Sequence, residues 1–480
     1  MADVASGRQR LSAATLDSLG GQVARPAYPL DRPRGGIVHL GIGAFHRAHQ
    51  AVYTDDAVAA GDDGWGITAV SLRSRAVRDA MGPQDNLYTV VERGAAGSAM
   101  RVIGAVGAVH VAPEDPAAVL AALASPATHV VTLTVTEKGY CRDPASGGLD
   151  HARAAGTGTI YACLADALAQ RRANGCGALT LVSCDNLPDN GRLLADLLTE
   201  YLERRDGSLA AWAARNVACP STVVDRIVPA VTDADIDALA RETGIVDRAM
   251  VATEPFRQWV IENRFAGPRP RWEAGGAQIV DDVRVFELAK LRLLNGSHST
   301  LAYLGLGLGL DFVHEAVADP ALSEFVRVQM MGEAAPGLPP SGDLDPAAYG
   351  DALLRRFANP ALDHRLAQIA MDGSQKIPQR WLATMIERDR AGQASAAHML
   401  SLAAWAVHVR GRSLDGAAHA VDDPMAERLR DLWGQAGGDV DRLVGLFVDK
   451  SGVFPPEFGT SPRLRQAFAA ALRGGLERGW

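Results

Sequence analysis

The stretch "GGIVHLGIGAFHRAHQAVYTDDAVAA", residues 35–60, restricts the fold more than any other part of this chain. A short apolar strand runs into Gly41 and Gly43, and a segment with helical spacing follows at once. A strand that stops on a glycine turn and resumes as a helix opens a βαβ unit, and it is the setting in which a dinucleotide loop becomes credible. The first glycine permits the tight turn. The second lets the backbone approach a pyrophosphate seated on the helix N-terminus. His46 stands where the third glycine of G-x-G-x-x-G belongs, so an ordinary glycine-rich connection remains the competing reading of the turn alone.

The alternation continues downstream. "WGITAVSL" and "HVVTLTVTE" have the Val- and Thr-rich composition of strands. "TGTIYACLADALAQRRANG" is an amphipathic helix ending at Gly175, and "ALTLVSCDNLPDNG" is a further strand with a polar turn. Strands alternating with helices imply an α/β fold with a parallel sheet covered on both faces. Beyond residue 284 strand signals fade. Helices are expected at 285–300, 318–331, 346–357, 361–371, 378–390, 394–410, 424–435, 439–449 and 462–478. The boundary falls near 280–285, which divides the chain into a dinucleotide-binding domain, 1–283, and a mainly helical substrate and catalytic domain, 284–480.

Composition narrows the function classes. The 480 residues are 48% hydrophobic and 22% charged, which suits a globular chain with a large core. A formal net charge of -8 argues against nucleic acid, which needs a basic face. Cys141, Cys163, Cys176, Cys184 and Cys219 are scattered without a C-x-x-C pair, as in a reducing compartment. The N-terminal stretch "MADVASGRQRLSAATLDSLG" lacks the plan of a signal peptide. No apolar run approaches the ~18 residues of a membrane span. A cytoplasmic protein acting on a small molecule is expected.

The chemistry concentrates in "AKLRLLNGSHST", residues 289–300. On a helix at about 100° per residue, with Lys290 at the origin, Glu287 falls near ~60°, His298 near ~80° and Asn295 near ~140°. Arg292 and Leu293 point elsewhere. An amine, an amide, an imidazole and a carboxylate thus share one wall. Gly296 inside such a helix costs ~1 kcal/mol relative to Ala, which suggests that something approaches closely. Oxidation of a secondary alcohol needs a base for the hydroxyl proton, donors for the alkoxide oxygen and a nicotinamide held at the carbinol carbon. A lysine whose pKa is lowered by burial can be that base. Asn295 and His298 can donate to the oxygen.

With these residues in view, the chain resembles the polyol-specific long-chain dehydrogenases, the family of mannitol 2-dehydrogenase and fructuronate reductase. "KLRLLNGSH" looks like that family's Lys-x4-Asn-x2-His signature. "IVHLGIGAFHRAHQAVYTD", "TEKGYC", "SCDNLPDNG", "VDRIVP", "EPFRQWVIEN" and "DGSQKIPQR" match in order, from about residue 36 to the C-terminus. The resemblance implies a Rossmann-type first domain and a mostly α-helical second one, with the active site between them. It implies Lys290 as general base, Asn295 and His298 as the oxyanion hole, and Glu287 as a proton relay. It further implies that Asn186, Asp225 and Lys376 touch or order the substrate, that no metal is needed, and that the protein is a monomer, as family members commonly are. The cofactor is expected to be NAD, or NADP, held by Gly41, Ile42, Gly43, Ala44 and Phe45, with Arg73, Thr136 and Glu137 at later strand ends.

The residues themselves leave several points open. Asn186 follows the strand "LTLVSC", at a carboxyl end where such sheets bind ligands, but a turn Asn before Pro188 is the alternative. Asp225 could form a local ion pair with Arg226, and Lys376 lies in a loop-like segment between two helices. "SLRSR" offers Arg73 in place of the acid that usually holds the adenosine ribose, so NAD and NADP both stand. His46 and His49 are spaced like a metal pair but have no third ligand nearby. Trp259 and Phe256 suit a core. Between neutral polyols and sugar acids, "TEKGYC" and "DGSQKIPQR" resemble the fructuronate reductase branch of the family more than the mannitol branch, which implies a sugar acid of the mannonate and fructuronate type, with Lys138 or Arg380 facing its carboxylate. Lys138 pairing with Glu137 or solvent is the competing reading. Mannitol or arabinitol is the second substrate class, and a non-catalytic NAD-binding regulator is the reading outside the enzymes.

Overall fold

The structure, a computed structural model, describes residues 8–31, 35–156, 158–414 and 416–479. Residues 1–7, part of the stretch that argues against a signal peptide, and Thr157, the first residue of one expected helix segment, lie outside the described residues. The chain divides into two compact units, 1–283 and 284–480. Among the described residues no helix is long and apolar enough to cross a membrane.

The first unit is built on six parallel strands: β1 Gly35–Leu40, β2 Trp65–Ser71, β3 Val106–Val111, β4 Val130–Leu133, β5 Leu179–Ser183 and β6 Val217–Ala218. They lie in the order β3-β2-β1-β4-β5-β6, every neighbouring pair parallel. This is the doubly wound dinucleotide-binding order, whose direction reverses between β1 and β4. All residues of β4 and β5 are buried, as in strands covered on both faces. The expected helix is Ile160–Ala173. Thr159 caps it by accepting the Ala162 N–H, and Gly175 beyond it has φ +65, which lets the chain turn back. Its Tyr161, Leu164 and Leu168 join the core under β4 and β5.

The alternation in the sequence understated the strand content. β3, "VGAVHV", has no clean period because half of it is Gly, Ala and His. The unit also carries a four-stranded sheet containing the hairpin Tyr88–Gly94 and Gly97–Ile103, and a three-stranded sheet of Thr222–Asp225, Gln258–Glu262 and Gln278–Val280. The latter strands pair across tens of residues, and no local pattern announces that.

The second unit is helical around Ala396–His408, whose Leu402, Ala403 and Trp405 are fully buried. Helix Pro346–Phe357 spans the expected residues. Three expectations need correction. The 318–331 helix breaks at Asp319, which caps Ala321 and Leu322 while Pro320 opens a new helix. The 361–371 helix is a turn at Pro360–Leu362 followed by Leu366–Ala370. The 378–390 helix begins earlier, at Gly373. Three wide π-helical turns lie at Lys290–Asn295, Gln329–Ala334 and Pro378–Leu382; the first and third interrupt α-helices, the second ends one, and the first packs against both others.

Candidate active site

The glycine turn leaves β1 at the switch point between β1 and β4. Gly41 has φ +100, and a Cβ there would stand 2.1 Å from the Thr134 carbonyl oxygen beyond β4, so only glycine fits. Gly41 and Ile42 both give their N–H groups to the Val70 carbonyl at the end of β2. Gly43 is different. Its φ is -118, and a Cβ would meet nothing nearer than 3.8 Å. The open space over Gly43, at the start of helix Ala44–Ala48, is where a pyrophosphate could approach the backbone, so the residues fit a dinucleotide.

His46 occupies the third-glycine position by lying flat on His39 of β1, ring centroids 3.4 Å apart. Both His46 ring nitrogens are buried without a hydrogen-bond partner among the described residues. The helix breaks at His49 and restarts as Gln50–Ala59. The His49 ring bonds the Gln258 carbonyl at 2.8 Å and stacks on Phe45. Burial holds His39 and His49 down to about 3 and pushes His46 down as well. His46 and His49 are packing groups here, and among the described residues no group of His, Cys, Asp and Glu could hold a metal ion.

Past β4, Thr136, Glu137 and Lys138 are exposed, and Thr136 has φ +62. Lys138 makes no ion pair with Glu137, or with any described residue, while its backbone carbonyl accepts from Arg153 and from the Cys141 N–H. Arg73 is exposed beyond the end of β2. Asn186 is exposed three residues past β5, whereas its neighbour Asp185 is buried and accepts the Val135 and Thr136 N–H groups. Sequence reasoning named Asn186 and missed Asp185. The signal was a second polar residue at the same strand end, in "SCDN".

Asp225 is buried at the end of strand Thr222–Asp225, in register with Gln258. The alternative of an ion pair with Arg226 is overturned. The buried Arg226 guanidinium turns to Glu92, to the Glu254 carbonyl and to the Ala48 carbonyl. Trp259 is fully buried beside Tyr53 and Trp272, and Phe256 is half-buried.

In the second unit, Glu287 lies on helix Arg284–Ala289, Lys290 and Asn295 bound the π turn, and His298 lies on Gly296–Gly307. The uniform 100° count therefore does not describe the segment. A π turn bonds i to i+5, and Lys290 and Asn295 are the first and last residues of the wide turn. The four polar residues are all half-buried, as are Leu288 and Leu291, while Arg292, Leu293 and Leu294 between them are buried. Arg292 is held on the inner side by a bidentate pair with Glu387 at 2.6 and 2.7 Å. His298 rests against Phe357 and His364, its Nε2 sealed and unpartnered among the described residues, and burial keeps the imidazole neutral.

The close approach expected at Gly296 comes from the protein itself. The Trp381 indole donates to the Gly296 carbonyl at 3.1 Å, and a Cβ on Gly296 would make only ordinary contacts, the nearest 3.5 Å from the Arg380 carbonyl. Arg380 donates to the Asn295 carbonyl at 3.2 Å and to Ser299 Oγ at 2.7 Å, which braces the π turn. Lys376 is on helix Gly373–Ile377, not in a loop. Its ammonium donates to the Met371 carbonyl at 2.5 Å, and burial, with Arg380 nearby, lowers its pKa.

Known proteins resemble both units of the chain. Residues 35–274 match the mannitol dehydrogenase Rossmann domain, and residues 282–473 match the mannitol dehydrogenase C-terminal domain. D-mannonate oxidoreductase of Escherichia coli strain K12 is 41% identical over 470 residues, covering 95% of this chain and 96% of the relative. The structure of Pseudomonas fluorescens mannitol 2-dehydrogenase in ternary complex with NAD and D-mannitol is 36% identical, covers 98% of both chains and superposes with a TM-score of 0.79. That of a substrate-free D-sorbitol dehydrogenase is 30% identical, covers 98% of this chain and 99% of the other, and has a TM-score of 0.90. With both halves of the chain matched to one family and relatives of this identity along almost all of its length, the protein is an oxidoreductase that belongs to the mannitol dehydrogenase family of NAD-dependent polyol dehydrogenases.

Proposed function

We propose that this enzyme interconverts a secondary alcohol and a ketone at C2 or C5 of an open-chain sugar acid, with D-mannonate and D-fructuronate the favoured pair, using NAD or NADP. The observation that carries the reading is the half-buried stripe of Glu287, Lys290, Asn295 and His298 across the π turn. When bound, the nicotinamide supplies or accepts the hydride. Lys290 takes the hydroxyl proton and Glu287 passes it towards water. Asn295 and the neutral imidazole of His298 donate to the oxygen as charge develops on it. Neutrality matters, because a donor without net charge stabilises the alkoxide without trapping it as an ion pair. Gly41 to Phe45, with Arg73, Thr136 and Glu137, hold the dinucleotide; Asn186, Asp225 and Lys376 order the substrate hydroxyls.

Two observations favour the sugar acid. The relative named D-mannonate oxidoreductase aligns over nearly the whole chain. Lys138 is exposed and makes no ion pair among the described residues, so its amine suits a substrate carboxylate better than Arg380, which is engaged with Asn295 and Ser299. The second reading is a mannitol 2-dehydrogenase, favoured by relatives of that name at comparable identity. Initial rates of NADH and NADPH oxidation with fructuronate and with fructose, side by side, test the choice. Faster turnover of fructose overturns the sugar-acid assignment. In the same assay Lys290→Ala should lower kcat by about 100-fold or more while cofactor affinity holds; wild-type turnover removes Lys290 from the mechanism.

A further inference from the structure

Thr136 is β-branched yet sits at φ +62, in the left-handed region such residues rarely enter. Two oxygens of one side chain hold it there. Asp185 Oδ1 accepts the Thr136 N–H at 2.8 Å, and Oδ2 accepts the Val135 N–H at 3.0 Å. The Tyr140 hydroxyl donates to the same Oδ2 at 3.0 Å and lies 2.5 Å from Ser183 Oγ. Asp185 is 8% exposed, so the grip is shielded from competing water. The segment it grips is coupled to the glycine turn. Thr134 Oγ1 donates to the Gly41 carbonyl at 2.8 Å, and the Thr134 carbonyl is the wall that forbids a Cβ at Gly41.

We propose that Asp185 is a positioning residue for the dinucleotide. Its carboxylate locks Thr136 in the left-handed conformation and thereby sets residues 134–137 beside the glycine turn. The proposal rests on the cofactor reading above. A carboxylate is suited to this role because it presents one acceptor to each of two successive amide donors. An asparagine presents a single acceptor and turns its own N–H groups on the second donor. The loss should therefore fall on cofactor binding and leave the chemistry of Lys290, Asn295 and His298 largely intact.

The test is a cycle of wild type, Asp185→Asn, Thr136→Gly and the double variant, with NADH affinity read by fluorescence titration beside KM and kcat. Asp185→Asn should weaken NADH binding about tenfold, with kcat changed less than about threefold. Glycine enters the left-handed region without penalty, so in the Thr136→Gly background the same change should cost about twofold or less. Equal losses in both backgrounds, or no loss in either, overturn the clamp. If Asp185→Asn does not fold, Tyr140→Phe carries the test, since it removes one of the three donors and keeps the carboxylate. It should weaken NADH binding about threefold, again only with Thr136 in place; unchanged affinity overturns the proposal. A wild-type protein that binds neither NADH nor NADPH overturns the cofactor reading and the clamp with it. Wild-type binding with an unaffected Asp185→Asn variant overturns the clamp alone.

Discussion

Gly41 and Gly43 are two residues apart and are glycine for different reasons. At Gly41 the fold itself demands it: the φ is +100 and the Thr134 carbonyl occupies the space a Cβ would need. Gly41→Ala should destabilise the protein by at least about 3 kcal/mol, because backbone strain and a backbone clash combine. At Gly43 the chain has room. Gly43→Ala should change stability by less than about 1 kcal/mol, as expected where no special backbone or packing feature is touched, yet raise the KM for NADH severalfold. Chemical denaturation and steady-state kinetics on both variants separate the two roles. Equal losses of stability would show that Gly43 is also structural. The sequence presented both glycines as one motif, since the atoms that distinguish them belong to Thr134, just past β4 and more than ninety residues away.

At the scale of the element, a π turn at Lys290–Asn295 carries two members of the proposed polar stripe. A straight α-helix would leave Lys290 and Asn295 splayed by about 140°. Within the wide turn Arg292 and Leu293 are buried. It survives because neighbouring chain satisfies it: Arg380 and Trp381, in another π turn, bond the Asn295 and Gly296 carbonyls. Pro378 belongs to the same device. Proline removes an i→i−4 donor, and the widened Pro378–Leu382 turn carries the helix past it, so a segment that reads as a loop is helical from Gly373 to Arg390. At Gly296 no atom lies closer than 3.5 Å to a would-be Cβ. Gly296→Ala should stabilise the protein by up to about 1 kcal/mol through helix propensity. A fall in the denaturation midpoint would show that the Trp381 indole cannot yield.

For the whole molecule, buried neutral histidines dominate the response to acid. Burial lowers His39 and His49 to about 3 and His408 to about 4, and also depresses His46, His298 and His364. In the unfolded chain each titrates near 6.5, so below that pH the unfolded state binds more protons and stability falls as pH falls. Asp55, Asp185 and Asp247 have raised pKa values and act in the opposite sense, adding stability as pH falls through their folded-state pKa values. Each deeply buried imidazole should therefore remove about 2–3 kcal/mol by pH 4.5. The thermal midpoint should drop steadily from pH 6.5 to 4.5; a flat profile over that window would contradict the assignment of these rings as neutral and buried.

The chain order of elements was legible in the residues because it depends on local period and punctuation: an apolar strand into Gly41, a helix ending at Gly175, and the fading of strand signals near residue 284. Lys290, Asn295 and His298 stood out as a motif too, since they lie within nine residues, but the π turn that carries the first two did not. What only the tertiary structure decided are the contacts between distant residues. Asp185 grips Thr136 across 49 residues, Arg380 braces Asn295 across 85, and Arg226 passes over its neighbour Asp225 for Glu92. Local propensity acts over one or two turns, whereas a buried charge or an unpaired carbonyl takes whichever partner the packed chain brings to it.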